Sequence, residues 1–353
     1  MIKRGFTEKT LPHIISDQID RKKWAICVGA GTSKPIFPLW YEIVDELIES
    51  VNPSISSLSS QQLKDDYRPD TLIQATLNRL KLSNHEYVTL LSEKLFSRIR
   101  KELSLTEWHS FRKCLAAKSP CEISETNLAE FMDIVEQKKY SSSAYQIAKL
   151  IVKTLATKYE PSAILSFNAE SLLYAIINVL AYKKGIKYQC LDFINLSISA
   201  QNKHRIPYIF CHGTLPIPDC KKCQNKKFEN NNKLVFLENE YLQLANNSFS
   251  WQANSFLEII NSCTVIFIGV SLTDPNMRRW LSWTHATRLD EIKLMNHADF
   301  IDSTKHYWIN KVPSDPSLKS WIEASVSHLG IRLIWIDDWD RLGPVLNKLV
   351  NIH

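Results

Sequence analysis

Residues 24–33, WAICVGAGTS, constrain the fold of this chain more than any other segment. A short apolar run ends in Gly-Ala-Gly-Thr-Ser, and an amphipathic helical pattern follows within a few residues. A buried strand, a tight glycine turn and a helix N-terminus are the usual elements that hold a nucleotide pyrophosphate, because glycines let the backbone approach the phosphates. The third glycine of the dinucleotide fingerprint is missing, so an ordinary strand-to-helix turn is the alternative.

Apolar runs typical of β-strands recur along the chain, at residues 24–28, 163–167, 188–193, 207–211, 264–270, 306–309 and 331–336. The run at 264–268 is apolar on both parities, as expected for a central strand that is covered on both faces. Helical periodicity lies between the runs, for example at Ile43/Val44 and Leu47/Ile48. This alternation predicts an α/β fold with a doubly wound, Rossmann-like parallel sheet.

Two intervals depart from the alternation. Residues 53–155 contain no convincing strand and many helix-compatible segments, which predicts a helical insertion after the first βα unit. A serine among residues 141–143 is expected to cap the helix that returns to the sheet. Residues 195–254 are polar and irregular and predict a small irregular module.

Composition narrows the class of protein. No apolar run is long enough to span a bilayer, and no signal-peptide segment follows the first residues, so we expect a cytoplasmic protein without membrane contact. Several of the eight cysteines lie inside apolar runs, which predicts free buried thiols. A net charge of +6 suits an anionic ligand but argues against direct nucleic-acid binding, and the lysines at 221–222 and 226–227 are interpreted as a solvated loop.

Polar residues follow several of the predicted strands at the point where each strand ends. Asn168 and Glu170 follow one strand, His212 follows another, and Asp274 follows a third. Because ligands bind off the carboxyl ends of the strands in open α/β sheets, these residues and the glycine loop are predicted to converge on one crevice. The alternatives are a turn residue for His212, a helix N-cap for Asn168 and a helix start at Asp274-Pro275.

The order of these motifs resembles the sirtuin-like superfamily, and looks closest to its divergent prokaryotic branch found in anti-phage defence. Residues 29–33 match the Gly-Ala-Gly-x-Ser loop of that family, and residues 166–170 resemble its Thr-x-Asn-x-Asp segment. His212-Gly213 resembles the catalytic His-Gly, and residues 269–276 are similar to the segment Gly-x-Ser-x-x-Asp. The resemblance covers nearly the whole chain except the helical insertion, and implies one catalytic domain over residues 1–353.

The resemblance implies that NAD is the substrate and that Asn168 and His212 are the catalytic residues. The implied NAD-binding residues are Gly29, Ala30, Gly31, Thr32, Ser33, Glu170, Gly269, Ser271 and Asp274. The expected activity is hydrolysis of NAD to nicotinamide and ADP-ribose by a defence effector that depletes NAD. An NAD-dependent protein deacylase and a non-catalytic subunit that binds NAD or ADP-ribose are the alternatives.

Departures from the deacylase pattern bear on metal and partners. Deacylases carry two Cys-x-x-Cys pairs, whereas this chain has only Cys220 and Cys223 in that spacing. A closed structural zinc site needs four ligands, so we expect no zinc, which argues against the deacylase. The resemblance also implies an activating assembly, either a homo-oligomer or an activator subunit such as a DNA-translocating ATPase.

Overall fold

The computed structural model describes residues 4–11, 23–137, 142–186, 188–197, 199, 201–202, 204–219, 234–247, 250–295 and 303–350. The strands in these ranges are β1 (Phe6–Thr7), β2 (Trp24–Val28), β3 (Ala163–Ser166), β4 (Leu191–Ile194), β5 (Ile206–Phe210), β6 (Thr264–Ile268), β7 (His306–Lys311) and β8 (Ile331–Ile336). They form one all-parallel sheet in the order β1-β8-β7-β6-β2-β3-β5-β4. The predicted α/β fold with a Rossmann-like parallel sheet is confirmed.

Thirteen α-helices in the described ranges flank the sheet. They are α1 (Trp40–Val51), α2 (Ser57–Asp66), α3 (Pro69–Leu80), α4 (Asn84–Glu102), α5 (Leu105–Ala116), α6 (Glu125–Glu136), α7 (Ser143–Thr154), α8 (Leu172–Lys183), α9 (Glu238–Asn246), α10 (Trp251–Ser262), α11 (Pro275–Lys293), α12 (Ser317–Ser327) and α13 (Leu342–Leu349).

The centre of the sheet is β2, which pairs with β3 on one side and with β6 on the other. Every residue of β2 and β6 is buried, which agrees with apolar residues on both parities and helices on both faces. The chain continues from β2 toward β3 and β5 on one side, and β6, β7 and β8 lie on the other. This reversal places a ligand crevice at the carboxyl ends of β2 and β6.

Most strand limits agree closely with the apolar runs, but β4 begins only at Leu191, three residues after the start of its apolar run. β6 ends at Ile268 rather than at residue 270, because Gly269 has a φ of +65° and leaves the extended conformation. The two-residue β1 has no apolar run and was not predicted. It is held at the sheet edge by Glu323, whose Oε1 accepts hydrogen bonds from the Gly5 N–H and the Trp335 Nε1–H, each at 2.8 Å.

All the secondary-structure elements described in the interval predicted as a helical insertion are helices, and no strand occurs among its described residues. Ser142 caps α7 by accepting a hydrogen bond from the Tyr145 N–H, as expected, while Ser141 lies outside the described residues. These helices share one core with the sheet. Phe111 on α5 packs against Phe37, which follows the glycine loop, with ring centroids 6.3 Å apart.

The interval 195–254 contributes directly to the main sheet, because β5 lies within it and pairs with β3 and β4. The Cys220–Cys223 pair and the lysines at 221–222 and 226–227 lie outside the described residues. Cys27, Cys190, Cys211 and Cys263 are buried free thiols, as predicted. No helix in the described ranges is both long and apolar enough to cross a bilayer.

Because the insertion shares its core with the sheet, we expect Phe111→Ala to destabilise the whole chain. Deleting a fully buried ring costs about 3–5 kcal/mol in the free energy of unfolding. Chemical denaturation followed by circular dichroism and by tryptophan fluorescence should show one transition at a lower midpoint. Leu105→Ala on the same helix is the control, since Leu105 is exposed and its loss should change the free energy by about 0.5 kcal/mol or less. Two separated transitions would contradict a shared core.

Candidate active site

A cleft of about 1100 Å³ opens at the carboxyl ends of β2, β5 and β6. One wall is formed by the start of α3 in the insertion, including Arg68 and Asp70. The lining also includes Trp308 and Asn310 on β7 and Trp339, which follows β8. Its volume lies just above the usual range of about 300–1000 Å³ for small-molecule sites, so it has room for a dinucleotide.

The structure divides the predicted site residues into two groups. The residues that line the cleft are Gly29, Ala30, Gly31, His212, Gly269, Ser271 and Asp274. The buried residues are Thr32 and Ser33, at the end of the glycine loop, and Asn168 and Glu170, which bond to them. The predicted convergence at one sheet edge is therefore present, but only the first group faces the open cleft.

The floor of the cleft is a contact between two loops. The Gly29 N–H donates to the Ile268 carbonyl at 3.2 Å, and the Gly31 N–H donates to the Gly269 carbonyl at 3.0 Å. A Cβ at Gly29 would lie 2.7 Å from the Gly269 oxygen, and a Cβ at Gly31 would lie 3.0 Å from the Gly269 Cα. Glycine is therefore required here by backbone-to-backbone packing, whatever the loop binds.

The segment after this loop differs from the expected strand-to-helix turn. A 3-10 turn, Ala30–Ser33, follows Gly29, and α1 begins only at Trp40. The Thr32 N–H and hydroxyl both donate to the Gly29 carbonyl, at 2.9 and 2.8 Å. The N–H groups of Gly31 and Thr32 are therefore already engaged by protein carbonyls.

Asn168 connects the glycine loop to Glu170. Its Nδ2 lies 3.3 Å from Thr32 Oγ1, 3.1 Å from Ser33 Oγ and 2.8 Å from Glu170 Oε1. Ser33 donates its hydroxyl to the same Glu170 oxygen at 2.6 Å. Asn168 Oδ1 is buried and accepts no hydrogen bond from any residue that the structure describes. A buried acceptor in this condition is costly, and marks a position where a donor from a ligand or water is favourable.

Glu170 is held from both carboxylate oxygens, since its second oxygen accepts the Leu172 N–H. Burial raises the pKa of Glu170, and the hydrogen bonds from Ser33, Leu172 and Asn168 offset only part of that effect. Glu170 also lines a second, smaller cavity of about 460 Å³ next to α4 and α5. It therefore forms part of the wall between the glycine loop and that cavity.

His212 is held between three side chains. Its Nε2 lies 3.4 Å from Asp274 Oδ2, and its Nδ1 lies 3.3 Å from the Tyr241 hydroxyl. The Phe167 ring meets the imidazole edge to face, with centroids 4.8 Å apart. Phe167 precedes Asn168 in the chain, so it connects the His212 group to the buried group beneath the glycine loop.

Asp274 starts a helix, which is the alternative that the sequence allowed, and it also lines the cleft. Its Oδ1 caps α11 by accepting the N–H groups of Asn276 and Met277, at 2.8 and 3.1 Å. Its Oδ2 lies 3.4 Å from His212 Nε2 and, apart from this long contact, has no polar partner among the described residues. Burial alone raises the pKa of Asp274, but the His212 imidazole and the two N–H groups outweigh burial and lower it below the usual value. The ionised carboxylate of Asp274 therefore lies beside the His212 imidazole.

Several cleft residues were not predicted from the sequence, namely Lys34, Arg68, Asp70, Tyr241, Trp308 and Trp339. Tyr241 lies on α9, and Arg68 lies just before α3, so neither stands at a strand end. The Arg68-Pro69 step, which opens a helix, was the one available signal for the latter.

In open α/β sheets, ligands bind in a cleft at the point where the strand order reverses, and this chain has a cleft at that point. Residues 172–331 match the family model described as SIR2-like domain, so this part of the chain is similar to SIR2-like domains, in agreement with the motifs. SIR2-like domains use NAD as a substrate. The matched range includes His212 and Asp274, whereas the glycine loop, Asn168 and Glu170 precede it. No curated protein matches the chain significantly.

Within the described part of the chain, no group of three or more His, Cys, Asp or Glu side chains is arranged to hold a metal ion. Cys220 and Cys223 lie outside that part.

The loop contact predicts a difference between two glycines that both have positive φ. Gly185→Ala, at φ +84° in open space, should cost only the conformational penalty of about 1–2 kcal/mol. Gly269→Ala places a methyl group against the Thr32 backbone nitrogen, so we expect a further cost of about 1–3 kcal/mol. Urea denaturation of both variants measures the difference, and equal losses would show that the loops can separate freely.

Proposed function

We propose that this chain hydrolyses NAD to nicotinamide and ADP-ribose. The observation that carries the proposal is His212, held in the cleft with its Nε2 3.4 Å from an ionised Asp274. This pair lies within the part of the chain that is similar to SIR2-like domains.

The reaction depends more on the orientation of the substrate than on an acid that protonates the leaving group. The bond between nicotinamide and ribose breaks through an oxocarbenium-like transition state, and the leaving nicotinamide already carries the positive charge. A neutral His212 can accept a proton from a ribose hydroxyl or from the attacking water. Asp274 then stabilises the imidazolium that forms. Water adds to the anomeric carbon, and nicotinamide departs with the electrons of the broken bond.

The cleft fits a dinucleotide in three respects. Asp274 Oδ2 lacks a donor, and a ribose hydroxyl supplies one. Trp40, Tyr241 and Trp339 provide aromatic surface for the bases. Because the N–H groups of Gly31 and Thr32 are engaged, we assign the pyrophosphate to Lys34 and Arg68 together with the remaining loop backbone.

The role of Asn168 depends on the loop above it. Thr32 and Ser33 separate Asn168 from the open cleft, so it contacts the ribose only after they move. In the arrangement described here it holds the loop to Glu170. We keep Asn168 as a catalytic candidate because its Oδ1 lacks a donor.

The burial of Asn168 and Glu170 favours one alternative, a subunit that binds NAD or ADP-ribose without cleaving it. In that case the cleft is a sensor and the loop stays closed. The biological setting that we propose follows from the resemblance alone. It is a cytoplasmic effector that depletes NAD in anti-phage defence, as a homo-oligomer or with an activator subunit such as a DNA-translocating ATPase.

Purified protein incubated with NAD should release nicotinamide and ADP-ribose in equal amounts. We expect His212→Ala to lower the rate about 100-fold or more, because it removes the general base. Asn168→Ala should also lose activity. His204→Ala is the matched control, since His204 is exposed in a turn, and should retain the wild-type rate. Chromatography of the products gives the rate of NAD cleavage for the wild type and for each of the three variants.

Two other results would replace the proposal. Tight NAD binding without turnover, in the assembled protein and in lysate, would support the binding subunit. Consumption of NAD that depends on an added acyl-lysine peptide, together with one zinc per chain by elemental analysis, would support the deacylase.

A further inference from the structure

We infer that Tyr241 is a positioning residue for His212, and that the helical insertion holds Tyr241 in place. Tyr241 lies on α9, and its hydroxyl is 3.3 Å from His212 Nδ1. The two rings meet at 86° with centroids 5.2 Å apart. The part of the inference that concerns catalysis rests on the proposed function.

The hydroxyl of Tyr241 suits an imidazole that changes its protonation state. A phenol both donates and accepts hydrogen bonds, so it can pair with Nδ1 in the neutral ring and in the imidazolium. Burial, and to a smaller extent the Asp274 carboxylate, raise the pKa of Tyr241 well above its usual value, so the phenol keeps its proton. Tyr241 therefore fixes the ring orientation while Nε2 faces Asp274 and the cleft.

Both partners of His212 are attached to the same helix. Asp274 caps α11, and Asn276 in the first turn of α11 donates its Nδ2–H to the Tyr241 carbonyl at 3.2 Å. The imidazole therefore contacts two side chains, Asp274 and Tyr241, and both are bonded to the N-terminus of α11. A ring held in this way cannot turn without breaking contacts to both.

The insertion reaches this arrangement through α9. Thr71 in the first turn of α3 donates its hydroxyl to Glu238 Oε1 at 3.0 Å, and Glu238 opens α9. Glu240 accepts the N–H groups of Phe236 and Leu237, at 2.7 and 2.9 Å, and so fixes the start of the same helix. A shift of α3 is therefore transmitted to α9, to Tyr241 and to His212.

The contacts of the His212 ring can be tested by comparing wild type with variants that lack one of them. The charged and titratable groups around the ring and its two partners are Asp274 on α11, Tyr241 and Glu240 on α9, Arg68 and Asp70 at α3, and the buried thiols of Cys27 and Cys211. Among them, Tyr241 contacts Nδ1 directly. Because a hydrogen bond from the charged imidazolium is stronger than one to the neutral ring, loss of the hydroxyl favours the neutral form.

The deciding measurement is an NMR pH titration of the His212 ring in wild type and in Tyr241→Phe, with His212→Gln to assign the resonance. We expect the His212 pKa to fall by about one unit in Tyr241→Phe. In the NAD assay, kcat should fall about tenfold while KM changes less than about twofold, and the acid limb of the pH profile should move to lower pH.

Matched variants separate positioning from general structural damage. Tyr145→Phe removes a hydroxyl that donates to Glu136 at 2.9 Å on another helix, and should leave the titration unchanged. Thr71→Val should shift the His212 pKa in the same direction by a smaller amount, whereas Thr89→Val, which removes a bond within α4, should not. Thr71→Val also provides the test if Tyr241→Phe does not fold.

An unchanged His212 pKa in both Tyr241→Phe and Thr71→Val would overturn the inference. The titration needs no turnover, so a wild-type protein without NADase activity would defeat the proposed function and leave this test intact. Conversely, an active wild type with unshifted His212 would defeat the positioning role alone.

Discussion

The contact between the loops that follow β2 and β6 is the constraint on which the rest of the cleft depends. Gly29, Gly31 and Gly269 bring two backbones together without side chains between them. Because these strands are neighbours at the centre of the sheet, the contact sets the distance between their ends. In the first loop, Thr32 and Ser33 then contact Asn168. In the second loop, the chain continues from Gly269 to Asp274, which caps α11.

Two carboxyl groups near this contact, Glu170 and Asp274, have different environments and are suited to different roles. Both oxygens of Glu170 are occupied by protein donors, and burial raises its pKa. Asp274 has one carboxylate oxygen without a hydrogen bond from the described residues, and its pKa is lowered beside His212. A carboxyl group whose oxygens both accept hydrogen bonds from the protein stabilises the loop that supplies them. An ionised carboxylate with a free oxygen can instead accept a hydrogen bond from a ligand.

Much of the fold could be predicted because β2 and β6 have strong local signals, namely apolar residues on both parities followed by glycine. The location of His212 and Asp274 followed from the same rule, since each comes after a strand of a parallel sheet. The depth of Asn168 could not be predicted, because it depends on how Thr32 and Ser33 fold over it. Tyr241 was missed because its helix reaches the site through tertiary packing with α3 and α11, which no local pattern indicates.

The pairing of β2 has a consequence for how the chain is made. Residue 26 pairs with residue 164 on one side and with residue 266 on the other, so β2 is synthesised well before either of its partners. Contacts this distant in sequence form slowly. The floor of the cleft cannot close until the segment around Gly269 has been synthesised. A chain that ends before this segment therefore lacks the floor of the cleft, and any chemistry that needs the floor begins only after residues 264–269 have been made.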